Sequence, residues 1–252
     1  MNRYLRFVAL PLIALWLPVR AAGEPLAGTA ESRRILEIAR QYLPGDWRYP
    51  SRDDRLSDQL HDELQRLLKV VPRQQPNSYS CGPASLGIVL SHHGITLSTA
   101  RLEAMTGTST DGADPWQLVA AARALGFEPH ERYDADLGDI LAALSRGQPV
   151  IIDYQADFDP LDDPSEDLGH YSVVVAADGD DLLLVDPANG NPEQLRIIPG
   201  RCLRTIWWDT TIDDERMVNR WMMTLELPAG RRVNVPSSPR VEDDRPGPSA
   251  PD

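Results

Sequence analysis

The 252-residue chain carries 38 Asp and Glu against 25 Lys and Arg, a formal net charge of −13 at neutral pH. That acidic excess argues against nucleic acid or an anionic membrane surface as a partner, and suits a solvated acidic surface or a basic substrate. The length allows one large domain or two small ones, and the two cysteines, Cys81 and Cys202, allow one disulfide at most.

Asn2, Arg3 and Arg6 form a short positive leader, residues 7–19 (FVALPLIALWLPV) are apolar, and VRAAG supplies small residues suited to cleavage after Ala21 or Ala22. This three-part pattern predicts a secretory signal peptide over residues 1–21 and a periplasmic or secreted mature protein. Thirteen residues interrupted by Pro11 and Pro18 fall short of the roughly 20 needed to span a bilayer, so no stable membrane insertion is expected after cleavage. Removing the leader takes away three arginines, leaving 22 basic against 38 acidic side chains, a charge of −16.

Residues 32–43 carry a helical apolar stripe closed by Pro44 and Gly45, and residues 55–71 repeat the signal with Leu56, Leu60, Leu64, Leu67 and Leu68. Residues 22–67 therefore read as a helical N-terminal extension that packs across the segment after it. CGPASLGIVLSHHG (81–94) reads as a helix with Pro83 in its first turn and Gly94 just past its end. It is apolar almost all round, hence central. Three further helices are expected at 97–107, with Ser98 as N-cap, at 114–126, with Asp114 as cap and Pro115 first, and at 136–147.

The period then changes. Residues 149–154, 170–177, 181–187 and 193–198 are β-branched or alternating runs separated by turn signals at 178–180 and 188–191. Residues 219–227 alternate too and are expected to close the sheet. Helices followed by an antiparallel sheet define an α+β class for a domain spanning residues 68–230. Residues 231–252, rich in proline, serine and charge toward the end, are expected to form a disordered tail.

Cys81 opens a helix, where unpaired N–H groups and the helix dipole favour a thiolate. His170 opens a strand behind Gly169, and Asp186 ends the next strand, so a hairpin sets the two side by side. A carboxylate there accepts from the second imidazole nitrogen and fixes the ring, the arrangement that activates a nucleophile. Gln75, six residues before Cys81, is placed to join the Cys81 backbone N–H around an oxyanion. Gly82 is expected to let a substrate carbonyl approach closely.

The bland readings are an inert buried thiol or a Cys81–Cys202 bridge, a solvated His170, a turn-opening Asp186 and an idle Gln75. Adjacent His92 and His93 do not face one another on a helix and read as structural rather than as a metal pair. Cys202 reads as a free buried thiol, or as an off-switch if it bridges Cys81. Seven acids between Asp153 and Asp167 crowd one loop before His170. They read as a solvated loop, with calcium or a basic substrate as rivals.

The order of QPNSYSCGPASL, TSTDGADPWQLVAAARALGF and GHYSVVV…DDLLLVDPANG, over about residues 68–190, resembles the papain-like cysteine peptidases that cut bacteriocin leaders after a double glycine, and their stand-alone relatives. The resemblance implies a papain-like fold, Cys81 as nucleophile, His170 as general base and acid, Asp186 as orienter and Gln75 as oxyanion donor. It implies a peptide or protein substrate and no cofactor. Such peptidase domains usually begin a membrane exporter, whereas here a leader of its own precedes the domain. Two other outcomes of the same constellation are transfer of the acyl group to an amine and a peptide-binding module without turnover.

Overall fold

The computed structural model describes residues 28–43, 58–156, 169–188 and 194–230. The leader, the tail and residues 157–168 of the acidic loop lie outside the described residues.

Helices α1 (Ala30–Tyr42) and α2 (Asp58–Leu67) precede α3 (Cys81–His92), α4 (Thr99–Thr106) and α5 (Pro115–Ala124). Local chemistry sets these bounds. Thr29 and Ser98 accept backbone N–H bonds from Ser32 and Arg101, which satisfies the first turns of α1 and α4. Gly94 (φ 73°) takes the left-handed conformation that ends α3. Every residue of α3 from Cys81 to Leu90 is buried. Each large apolar side chain so removed from water contributes about 1.5–3 kcal/mol. This helix is therefore a fixed axle for whatever its first residue does.

After α5 come β1 (Glu128–Arg132), α6 (Leu137–Ser145), β2 (Val150–Gln155), β3 (Gly169–Asp178), β4 (Asp181–Val185) and β5 (Leu195–Pro199). The chain ends through α7 (Gly200–Ile206), β6 (Trp208–Thr210), β7 (Met217–Asn219) and β8 (Met222–Glu226). Six strands form one antiparallel sheet in the order β1-β8-β2-β3-β4-β5, and β6 with β7 forms a separate hairpin.

Strand alternation sorts the core into two layers. Ile151, Val173, Val175 and Met223 join the apolar residues of α1, α3, α4 and α5. Val150, Ile152, Val174 and Leu184 join those of α6 and α7. Central strand β2 is buried on both faces along its whole length.

The α+β class holds, but helices and strands interleave more than the period change suggests, since β1 precedes α6 and α7 follows β5. The run near residues 219–227 does not close the sheet: β8 lies between β1 and β2, and β1 is the edge. Strand β1 left no alternating signature because only Pro129 of its five residues is buried. Helix α1 packs on β3 and β5 through Ile35, Leu36, Ile38 and Ala39, so this part of the extension is built into the main core. Among the described residues, no helix is long and apolar enough to cross a membrane.

Candidate active site

Helix α3 begins at Cys81 with its amides uncapped by a side chain: the Ser80 hydroxyl turns instead toward Asn77 Oδ1 and Glu103 Oε1. The His170 ring and the Gly82 and Tyr171 backbone N–H groups surround the thiol sulfur and favour its thiolate. Burial alone would push the Cys81 thiol up. The His170 hydrogen bond and charge, followed by the two amides, outweigh it and hold the thiol below its ordinary value.

His170 enters from β3, opposite Tyr154 of β2, whose ring stands edge-on at 5.9 Å between centroids. The β3–β4 register pairs Val173 with Val185 and so carries Asp186 to the level of the start of β3. There His170 Nε2 meets Asp186 Oδ1 at 2.7 Å, which leaves Nδ1 as the nitrogen for the thiol. Asp186 is fully buried, and Oδ1 also accepts the Ala188 N–H at 2.9 Å. Burial opposes charge on His170, yet Asp186 and then Cys81 raise its pKa to about 10. Burial likewise opposes the Asp186 carboxylate, but His170 and Arg196 hold it well below the usual carboxylate range. The cluster thus favours a thiolate beside an imidazolium.

Cys81 opens onto a cleft of about 840 Å³. One wall is the loop leading into α5, with Asp111 and Asp114; the other is the β6–β7 hairpin, with Trp208, Asp209, Ile212 and Glu215. No basic side chain lines it among the described residues. Asp114 Oδ1 ties the walls together by accepting the Ile212 N–H at 3.1 Å, and Asp209 Oδ1 anchors the hairpin to β2 by accepting Gln155 Nε2 at 3.1 Å. Among the described residues, none of α1 or α2 lines the cleft; α1 shares its core cluster with α3 instead.

Gln75 is held beside the site without facing the cleft. Its backbone N–H donates to Pro187 O at 2.9 Å and its Nε2 donates to Asn77 O at 2.8 Å. Gly82 is closely packed: a Cβ there would lie 3.2 Å from Leu118 Cδ1 and 3.3 Å from Tyr171 Cδ2, so these neighbours would have to give by a few tenths of an ångström. Cys81 and Cys202 are both free, which sets aside the disulfide, and Cys202 is half-buried on α7 rather than buried. His92 Nδ1 lies 3.2 Å from Lys69 O, and the His93 ring packs on Phe127 at 4.9 Å. Among the described residues no cluster of His, Cys, Asp or Glu is arranged to hold a metal ion.

Sequence reasoning missed Tyr171, Asp209 and Arg196. The residues after Cys202 gave no sign that a short hairpin would return to the cleft. A signal for Arg196 existed, since an arginine interrupts the otherwise apolar run LRII.

A cysteine at a helix start, facing a histidine and an aspartate carried by an antiparallel sheet, is the layout of papain-like cysteine peptidases. The chain belongs to the Peptidase C39 family, whose family model matches residues 69–196. A relative from Methanothermobacter thermautotrophicus, called only an uncharacterized protein, is 31% identical over 116 residues, 46% of this chain and 70% of that protein. The Mesentericin-Y105 transport/processing ATP-binding protein MesD of Leuconostoc mesenteroides is 30% identical over 124 residues, 46% of this chain but 14% of that protein. Among solved structures, the peptidase domain of Streptococcus ComA, described as a bi-functional ABC transporter involved in a quorum sensing pathway, shares 24% identity at a TM-score of 0.45, covering 63% of this chain and 97% of that one. A putative C39-like peptidase from Bacillus anthracis shares 17% at 0.49, covering 66% and 98%.

Proposed function

We propose that this protein is an exported cysteine endopeptidase that hydrolyses a peptide bond through a Cys81 thioester. The observation that carries this reading is His170, set beside the cleft-lining Cys81 thiol and hydrogen-bonded at 2.7 Å to the buried Asp186.

The Cys81 thiolate attacks the scissile carbonyl, and the negative charge moves to its oxygen. The Cys81 backbone N–H meets that oxyanion, and Gln75, whose Nε2 donates one hydrogen to Asn77 O, joins it by turning its other amide hydrogen toward the cleft. As the C–N bond breaks, the His170 imidazolium gives its proton to the departing amine and a thioester remains. The neutral imidazole then takes a proton from water, the hydroxide adds to the thioester, and collapse releases the acid and restores the thiolate and imidazolium. Asp186 keeps the ring in position and offsets its charge throughout. The expected leader over residues 1–21 supports export, with the mature chain starting at Ala22 or Gly23.

Mass spectrometry of a peptide library tests the chemistry. Wild-type protein is expected to cut it, with Cys81→Ala and His170→Ala inactive; cleavage persisting in either variant contradicts the reading. Products carrying an added amine instead of water would assign acyl transfer. A Cys81 that resists iodoacetamide at neutral pH would assign a binding module. N-terminal sequencing of protein recovered from outside the inner membrane tests export, which retention of the intact leader in the cytoplasm would contradict.

A further inference from the structure

Arg196 sits on β5 with 6% of its surface exposed, in a strand otherwise built of Leu195, Ile197, Ile198 and Pro199. Its Nε lies 2.8 Å from Asp186 Oδ2, an ion pair whose N–H is not aligned as a hydrogen bond, and its Nη1 donates to Ala156 O at 3.1 Å. Burying a guanidinium costs several kcal/mol even when it is paired, and an apolar residue of similar volume fills the same space more cheaply. The space alone therefore does not explain an arginine.

The charges of the cluster do. With the thiolate and imidazolium formed, Cys81, His170 and Asp186 together carry one net negative charge inside the protein. Protonating the thiolate is the easiest way to remove it. A permanent cation on the far side of Asp186 brings the sum to zero.

We propose that Arg196 is a positioning residue of the candidate active site. It clamps the Asp186 carboxylate opposite His170 and offsets that carboxylate's charge, so that the Cys81–His170 ion pair is the stable form. The inference rests on the peptidase reading of Cys81 and His170. It adds β5, at the end of the family-matched segment, to the elements α3, β3 and the end of β4 that carry the reacting groups.

The groups facing this cluster from the packed elements are Cys81 from α3, Tyr171 beside His170 on β3, Asp153 from β2 and Asp209 from β6, the two carboxylates bearing on Tyr171. Each is neutral or anionic, so Arg196 is the permanent cation acting on Asp186. Removing a cation raises the pKa of every neighbouring acid, so the thiol and the imidazolium both titrate at higher pH without it.

The test is the rate of Cys81 alkylation by iodoacetamide against pH, in full-length protein carrying Cys202→Ser so that one thiol reports. Arg196→Met is expected to displace the profile upward by about one pH unit, a roughly tenfold slower reaction at a fixed pH below the thiol's titration. Arg196→Lys keeps the charge and is expected to retain the wild-type profile, with peptidase turnover still reduced because the tie to Ala156 is lost. In an Asp186→Asn background, Arg196→Met is expected to produce little further displacement, because the clamp acts through that carboxylate. Superimposable wild-type and Arg196→Met profiles, or Lys and Met variants displaced alike, overturn the proposal. If Arg196→Met does not fold, the lysine variant decides: a wild-type profile supports the clamp and an upward displacement refutes it. A wild-type Cys81 with the pH dependence of an ordinary thiol instead removes the peptidase reading itself, so the two failures are distinguishable.

Discussion

The cleft has two unlike ends of charge. Beneath its floor, which Cys81 lines, Cys81, His170, Asp186 and Arg196 are buried and alternate in sign from one neighbour to the next. On its walls, Asp111, Asp114, Asp209 and Glu215 share one sign, with no basic partner among the lining residues described. The floor lies inside the family-matched residues 69–196, whereas Asp209 and Glu215 lie beyond them on a hairpin. A buried set must be compensated because low polarity magnifies every unpaired charge; on the walls Asp111 and Glu215 are solvated, and the buried Asp114 and Asp209 accept the Ile212 N–H and the Gln155 amide. The protein thus separates a constrained reactive floor from a freer wall, and substitutions at the two ends should fail in different ways.

Asp186→Asn strikes the floor hardest. It leaves Arg196 buried opposite a neutral amide and His170 without its counter-ion. Turnover is expected to fall about 10³–10⁴-fold and stability by about 3–5 kcal/mol. Removing the anion also lowers the His170 pKa, so the alkaline limb of kcat against pH should move down from about 10 toward 6.5. Wild-type turnover with an unmoved limb would show that the carboxylate does not act on the ring.

Gln75→Ala removes one proposed oxyanion donor and should lower kcat by about 10²–10³ with KM little changed. An effect confined to KM would return Gln75 to its visible role of holding Asn77 O and Pro187 O.

Gly169→Ala probes the wall. A Cβ there would collide with the Asp209 carboxylate, so that side chain must move and loosen its hold on Gln155, at a cost of about 1–3 kcal/mol. Here KM should rise more than kcat falls, opposite to the floor variants. Equal losses in both would mean that wall and floor move together.

His93→Leu lies outside both ends and calibrates them. Burial, then the charge of His92, lowers the His93 pKa to about 4 from an ordinary 6.5. The unfolded chain therefore binds that proton first, and stability is lost as pH falls from about 6.5 through 4. The leucine variant should lose up to about 3 kcal/mol less over that range, seen in urea midpoints, with unchanged kcat. Identical acid sensitivity would place the loss elsewhere.

Much of the floor was legible because its signals are local. A cysteine before Gly-Pro marks a helix start, and one hairpin spacing sets His170 beside Asp186. Ser98 and Asp114 announced the starts of α4 and α5. The walls were not legible, because β6 and β7 have three residues each, too few for a period. Arg196 escaped although it interrupts the apolar run LRII, because its partner Asp186 sits ten residues away, just past β4. Gly169 and Gly82 were seen, but the atoms that crowd these positions belong to distant elements.

The central claim is that Cys81 and His170 exist as a thiolate–imidazolium pair. The most direct measurement compares the pH dependence of Cys81 alkylation in the Cys202→Ser protein with and without His170→Ala. The expected result is reactivity extending well below the ordinary thiol value of about 8.5, lost when the ring is removed. Superimposable profiles would contradict the account.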